Sequence, residues 1–306
     1  MTLQQLHYAL TVAEIGSINK AAEALFISQP SLTSAIKELE RDAGISIFLR
    51  TGKGVVPTAE GADFLVYARQ VHQQYDLLRQ KYGDAANSKR KFAVSTQHYS
   101  FAVKAFVEMV KKFDTLRYEF AIRETKTADV IQDVGTMKSE IGVLYLSGFN
   151  RKIIEKMLRD NELVFHKLIQ CDAHVYVWKG HPLAGETSIG FEQLMEYPCL
   201  SFEQGDHASF YFAEEILAEN EYPRIIKTCD RATVLNLMVG LNGYTLCSGI
   251  ICDELNGSDY VVIPFAADAA NPNAVMEIGY IVKKYSVLSD IGEVYIQEAR
   301  KYLGIE

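Results

Sequence analysis

Residues 17–57 constrain what this chain can fold into more than any other stretch. Ser17 is a candidate N-cap for a short helix, Ile18 to Leu25, whose apolar face is Ile18, Ala21, Ala22 and Leu25. The turn Phe26-Ile27-Ser28 follows. Ser28 caps the next helix, with Gln29 and Pro30 in its first two positions, where the missing proline N–H costs nothing. Leu32, Ile36 and Leu39 give that helix one buried stripe, and Gln29, Ser31, Thr33, Ser34 and Lys37 lie off it. Two helices joined by a short turn, the second with a polar outer face, have the geometry of a recognition helix for the major groove of duplex DNA. Upstream, Leu3, Leu6, Leu10 and Ala13 predict a first helix over 3–14, broken by Gly16.

After Gly44, two apolar pieces, Ile45–Leu49 and Gly54–Pro57, flank Arg50-Thr51-Gly52-Lys53. This predicts a tight basic hairpin, a wing placed against phosphates or the minor groove. Thr58 then caps a long helix. On it Phe64, Ala68, Val71, Tyr75, Leu78 and Tyr82 alternate at spacings of four and three, a heptad seam that predicts pairing of two copies. Gly83 ends the seam and 84–90 is polar linker.

The net charge of -8 is unevenly placed. Residues 1–91 hold 11 Lys+Arg against 9 Asp+Glu, and residues 92–306 hold 20 against 30. The DNA-facing part is therefore only weakly basic, and its affinity has to come from where the cations sit and from several copies acting together. No apolar run is long enough to span a membrane, and the N-terminus lacks the pattern of a secretory signal, so a cytoplasmic protein is expected.

From Lys91 onward strands and helices alternate. Lys91–Val94, Tyr118–Ile122, Ile141–Leu146, His174–Trp178, Cys199–Phe202, Ile225–Thr228, Thr245–Ser248, Val261–Pro264 and Val275–Val282 read as strands. Phe101–Phe113, Ala128–Gly135, Phe191–Met195, Phe210–Asn220, Ala232–Leu241 and Leu288–Leu303 fall in the helical positions. Such alternation predicts α/β architecture with mostly parallel sheets, and the number of elements predicts two lobes with ligand chemistry at strand C-termini and helix N-termini.

The run AEIGSINKAAEALFISQPSLTSAIKELERDAGISIFLRTGKGVVPTAEG resembles the LysR-type transcriptional regulators over some fifty residues, including Ser-Gln-Pro, the wing and Thr-x-x-Gly. Further on, VWKGHPLAGE and LMVGLNGYTLCS resemble the same family more weakly. The resemblance implies an all-α-type winged helix-turn-helix over 1–58, a dimerising linker helix over 59–87, and a two-lobed, periplasmic-binding-protein-like effector domain over 88–306. It implies lobe I at 91–168 and 267–306, lobe II at 169–266, and crossings near Leu168–Gln170 and Pro264–Ala267. The implied partners are double-stranded operator DNA, further copies of the chain (a homodimer through 59–82 and a homotetramer), a small polar metabolite and RNA polymerase. Where many members carry long polar residues, this chain has Ser34 and Ala35. Base contacts are therefore expected from Gln29, Thr33 and Ser34, backbone contacts from Lys37, Arg50, Thr51 and Lys53, and much of the specificity from DNA shape and half-site spacing.

Ser95, Thr96 and Gln97 follow the first strand of the second part and precede a helix, where hydroxyls and free N–H groups suit an anion. The family uses this position for its effector. Thr125 and Thr127 follow the next strand, Ser201, Phe202 and Glu203 follow a strand of the other lobe, and Gly243 lies near the cleft by resemblance. Taken singly, each Ser or Thr is also a plain helix cap. Glu203 beside an anion site favours a zwitterion, such as an amino acid or an acylated amino-acid precursor. The Thr-Gln run is similar to members that control sulfur amino-acid metabolism. His98 either contacts the ligand or caps the helix.

The chain has no GxSxG, P-loop, HExxH or GxGxxG motif, so catalysis is not expected, nor is a cofactor or metal. Cys171, Cys199, Cys229, Cys247 and Cys252 all lie in one stretch without metal-ligand spacing. They read as buried reduced thiols, with a redox-sensing regulator of the same architecture as the alternative.

Overall fold

Thr2 starts the first helix. Its hydroxyl accepts the Gln5 N–H at 3.2 Å while the Gln5 side chain takes the Thr2 N–H at 2.8 Å, a capping box that opens α1 (Leu3–Ile15). Gly16, at φ 69°, ends it. The Ser17 side chain caps α2 (Ile18–Ala24), and the Ser28 side chain accepts the Ser31 N–H at the head of α3 (Gln29–Ala43). Leu32, Ile36 and Leu39 are buried with Leu6, Ala9, Val12 and Ala21 in one core. Truncating the fully buried Leu32 to Ala costs about 2–5 kcal/mol by analogy with other core leucines. This is a computed structural model; it describes residues 1–305 apart from 53, 83–88, 114–116, 206–208 and 268–272, and only the backbone of 80–82. It forms two units, Met1–Ser88 and Lys89–Glu306.

The wing is the antiparallel pair β1 (Phe48–Thr51) and β2 (Gly54–Pro57), with Arg50 opposite Val55. It is tied to α3 by Glu40, whose carboxylate accepts the N–H groups of Ile47 and Phe48 at 2.8 and 3.1 Å. Next comes α4 (Ala59–Tyr82). Thr58 donates to the Ser46 carbonyl and accepts the Gly61 N–H, and a Cβ at Gly61 would stand 2.0 Å from the Ile47 oxygen. The Thr-x-x-Gly motif is thus the close crossing of α4 over the strand approach to the wing.

The heptad seam divides in two. Of its residues, Ala68 is buried in the unit's own core beside Leu65, with Phe64 packed against it, while Val71, Tyr75 and Leu78 are exposed, as is the neighbouring Tyr67; the Tyr82 side chain lies outside the described residues. Alternation alone did not distinguish these halves, because the first half of α4 packs on α1, where His7 stacks on His72 at 5.1 Å.

In the second unit, β3 (Arg90–Thr96) pairs in parallel with β4 (Tyr118–Glu124) and β5 (Ile141–Leu146). The long strand β12 (Val275–Lys283) runs antiparallel between β5 and β6 (Leu163–Asp172), giving the order β4-β3-β5-β12-β6. Helices α5 (Ser100–Lys112) and α11 (Asp290–Tyr302) pack together through Phe101, Ala102, Tyr295 and Ala299. Helices α6 (Thr127–Gly135) and α7 (Arg151–Asp160) belong to a second cluster with Leu144, Leu146 and Ile281.

The strand β6 stays paired with β12 as far as Asp172, two residues past the crossing expected near Leu168–Gln170. The other lobe has β7 (His174–Trp178) antiparallel to β10 (Thr245–Cys247) and β11 (Tyr260–Pro264). Next to these, β8 (Cys199–Phe202) runs parallel to β9 (Ile225–Thr228) and bridges from Cys199 to Tyr244. Its helices are α8 (Phe191–Leu194), α9 (Arg231–Leu241) and α10 (Asp253–Asn256). The five-stranded sheet is therefore mixed rather than mostly parallel, and the other lobe divides into an antiparallel three-stranded sheet and a parallel pair.

Residues 210–220 do not form the helix expected of them. A single 3-10 turn at Phe210–Phe212 gives way to extended Ala213 (ψ 143°), and Leu217 stands at φ 61°. This irregular path delivers two adjacent glutamates to the cleft.

Candidate functional site

On the first unit, Ser28, Gln29, Pro30, Ser31, Ser34 and Lys37 are exposed and Thr33 is half-buried. Gln29 donates to the Thr33 hydroxyl at 2.7 Å, one turn further along. Arg50 and Thr51 are exposed on the wing, and Lys53 lies outside the described residues. Just before the helix, Phe26 is 96% exposed at φ 55°, an aromatic displayed by the turn itself. The face presents exposed hydrogen-bonding side chains, with Lys37 on the helix and Arg50 on the wing as exposed cations, the residue types that base reading with backbone anchoring requires.

The second unit has a cavity of about 70 Å³ between its lobes. From the β3–α5 side it is lined by His98, Tyr99 and Ser100, and from the other lobe by Tyr176, Phe202, Glu214, Glu215, Arg231 and Ser248. Glu214 bridges the lobes: its Oε2 accepts both the His98 N–H and the His98 Nδ1 at 2.8 Å, and its Oε1 accepts the Gln204 amide at 3.1 Å. The His98 ring stacks on Phe202. Glu215 accepts the Ser201 hydroxyl at 2.9 Å and the Phe202 N–H at 2.8 Å. Burial, and then the neighbouring Glu214 charge, push its carboxyl up to about 7. Two further ion pairs join the lobes, Arg231 with Glu124 and Lys104 with Glu254. The Tyr145 hydroxyl donates to the carbonyls of Ala213 and Glu215 at 3.1 Å.

The residues singled out from the sequence fall into distinct places. Ser95 and Thr96 are fully buried within lobe I: Ser95 donates to Asp133 at 2.6 Å, and Thr96 donates to the Gln97 carbonyl at 2.8 Å. Gln97 is also buried. It donates to the Thr127 hydroxyl at 2.6 Å and accepts the Tyr145 N–H at 3.1 Å. Thr127 in turn gives its N–H to Gln204 and its hydroxyl to the Phe212 carbonyl, both across the lobes. Thr125 donates to Asp129 beside a separate surface depression. Ser201 and Phe202 reach the cleft through Glu215. Glu203 is exposed, so the carboxylates in the cavity are Glu214 and Glu215 instead. Gly243 is buried where a Cβ would meet Leu200 at 2.8 Å, away from the cavity lining.

Sequence reasoning placed Gln204 at the cleft, in the run Ser201-Phe202-Glu203-Gln204, but missed Glu214, Glu215 and Arg231. Glu214-Glu215 sits in FYFAEEILA, which reads as an amphipathic helix with a solvated acidic face. Among the described residues, no three His, Cys, Asp or Glu gather in metal-binding geometry. Among the described residues, no helix is long and apolar enough to cross a membrane.

Residues 3–62 match the bacterial regulatory helix-turn-helix protein, lysR family, and residues 99–302 match the LysR substrate binding domain. The chain belongs to the LysR family. Among its LysR relatives, HTH-type transcriptional regulator CbbR of Rhizobium meliloti is 31% identical over 209 residues, 67% of this chain and 63% of that protein. HTH-type transcriptional regulator SsuR of Burkholderia cenocepacia is 24% identical over 79% of this chain and 77% of that protein. The match to CbbR thus spans under two thirds of that relative's length. Full-length OxyR C199D of Pseudomonas aeruginosa superposes with a TM-score of 0.66 at 18% identity, covering 99% of this chain and 94% of that one. Full-length CbnR complexed with its target DNA superposes with a TM-score of 0.55 at 16% identity, covering 99% of this chain and all of that one. At such identities these two structures speak for the LysR fold alone.

Proposed function

We propose that this chain is a sequence-specific DNA-binding transcriptional regulator, modulated by a small polar metabolite bound between the two lobes of residues 88–306. The observation that carries the reading is the exposed polar face of α3, Gln29 to Lys37, set above a buried Leu32–Ile36–Leu39 stripe and tied by Glu40 to a basic wing. Residues 1–58 bind the operator and 59–87 pair two copies through the exposed Tyr67, Val71, Tyr75 and Leu78. Dimers pair again into a tetramer, so that a change in the cleft alters half-site spacing and contact with RNA polymerase. The CbnR structure, solved in complex with its target DNA, supports the DNA-binding part of this reading by analogy of fold.

A metabolite that touches both lobes binds the closed arrangement better and so shifts the population towards it. An amino acid or an acylated precursor is in keeping with the mixed acidic and apolar lining. The redox alternative has less support. Burial pushes the Cys171 thiol up to about 11 and the Cys247 thiol up to about 12, away from the thiolate that oxidation requires, and Cys199 and Cys252 are buried; Cys229 is exposed, against the expectation of buried thiols. Gel-shift titration of the full chain on the DNA upstream of its own gene, with and without candidate metabolites, tests the proposal. A specific shift whose midpoint or mobility changes with a metabolite supports it; binding that follows salt alone, with no preferred sequence, overturns it.

A further inference from the structure

We propose that the interlobe cleft selects a ligand carrying a primary ammonium group, because Glu214 already occupies, as a tethered carboxylate, the place at the head of α5 where a free anion would dock. This rests on reading residues 89–306 as an effector-binding unit and names the chemistry of its ligand. The His98 N–H, which opens onto α5, is spent on Glu214 at 2.8 Å, and the imidazole makes the same carboxylate a second contact. The two side chains are only 7% and 5% exposed, so water screens the pair little. The second helix head is filled the same way: the Thr127 N–H at the start of α6 goes to the Gln204 side-chain oxygen of the other lobe. Both positions that suit an anion by sequence are thus satisfied from within the chain.

The remaining charges point the same way. The ionisable acidic and basic side chains lining the cavity are His98, Glu214, Glu215 and Arg231. Arg231 is committed to Glu124 and hydrogen-bonded to Asn256. That leaves two adjacent carboxylates beside one imidazole, and burial, followed by repulsion from Glu214, pushes the Glu215 carboxyl up to about 7. An ammonium relieves that repulsion, whereas a further carboxylate adds to it. Each glutamate keeps acceptor capacity, since Glu214 receives three donors and Glu215 receives two from other side chains and backbone, against about four lone-pair sites per carboxylate. Val234, Leu235, Leu246, Ile251 and Met276 line the rest of the cavity and suit an aliphatic stem.

Thermal-shift titration of the full chain with n-butylammonium chloride and with sodium butyrate, at constant ionic strength, tests the inference on wild type, Glu214→Gln and Glu214→Ala. The wild-type melting temperature should rise with n-butylammonium and not with butyrate. Glu214→Gln, which keeps the shape and loses the charge, should bind the amine about tenfold more weakly. Glu214→Ala, which frees the His98 N–H, should gain a response to butyrate. A wild-type response to butyrate alone, or an undiminished amine response in Glu214→Gln, overturns the inference and leaves the effector reading standing. A wild type that responds to neither compound overturns both. If Glu214→Ala does not fold, the wild-type and Glu214→Gln arms decide.

Discussion

The His98 ring lies flat on the Phe202 ring, with centroids 3.8 Å apart and planes 5° from parallel. One ring belongs to the β3–α5 connection and the other to the end of β8 in the opposite lobe, so the pair exists only when the lobes are together. Phe202→Ala removes the stack and leaves a gap, at a cost of about 1–3 kcal/mol. Calorimetry should show the Lys89–Glu306 unit melting several degrees lower, with Phe202→Tyr near wild type. An unchanged transition in Phe202→Ala would show that the contact is incidental to closure.

The Glu215 carboxyl gives the second unit a defined pH dependence. Its folded value of about 7 lies above the ordinary 4.5, so between those limits the folded state binds more protons than the unfolded one. The stability that protonated Glu215 supplies is complete below pH 4.5 and is lost as pH rises through 7, by about 3 kcal/mol at most. Glu215→Gln should flatten that slope and raise the melting temperature above pH 7 relative to wild type. Parallel melting curves for the two proteins from pH 5 to 8 would contradict the assignment.

The recognition helix was legible because its signals are local: a Ser28 cap, which accepts the Ser31 N–H, a proline in the first turn, and one apolar stripe, whose Leu32, Ile36 and Leu39 are buried. The all-buried strand Ile141–Leu146 was legible for the same reason, as an unbroken apolar run. The Glu214-Glu215 segment was not, since its helical pattern is overridden by contacts that span more than a hundred residues, from Glu214 to His98. Ser95 looked like a ligand-facing hydroxyl because nothing in the sequence shows that Asp133 and Ser139 would claim it inside the lobe. Local chemistry was readable; which groups the tertiary fold would turn inward was not.

Gly61 has no room for a side chain. A Cβ there would press on the Ile47 carbonyl, a backbone atom that can move only if the wing and α4 part. Gly61→Ala should destabilise the first unit by about 1–3 kcal/mol and weaken operator binding through a displaced wing. Denaturant unfolding of residues 1–88 within the full chain, followed by far-UV dichroism, checks this, and a wild-type midpoint would contradict it.

Leu78 stands 57% exposed near the end of the apolar stripe on α4. Leu78→Asp should disrupt pairing there while leaving the core at Leu65 and Ala68 untouched. Analytical ultracentrifugation should show smaller assemblies, and operator affinity should fall about a hundredfold or more as two linked sites become one. Wild-type assembly in this variant would place the pairing surface elsewhere.

The most direct measurement is a DNase I footprint of the full chain on the DNA upstream of its own gene, comparing wild type with the Gln29→Ala, Lys37→Ala double variant. Both side chains are exposed on α3, so the double variant should melt like wild type. Wild type should protect paired half-sites spaced by about 10.5 base pairs or a multiple of that, and the double variant should lose the protection. A footprint that survives both substitutions, or the absence of any protected site in wild type, would contradict the account of α3 as the element that reads DNA.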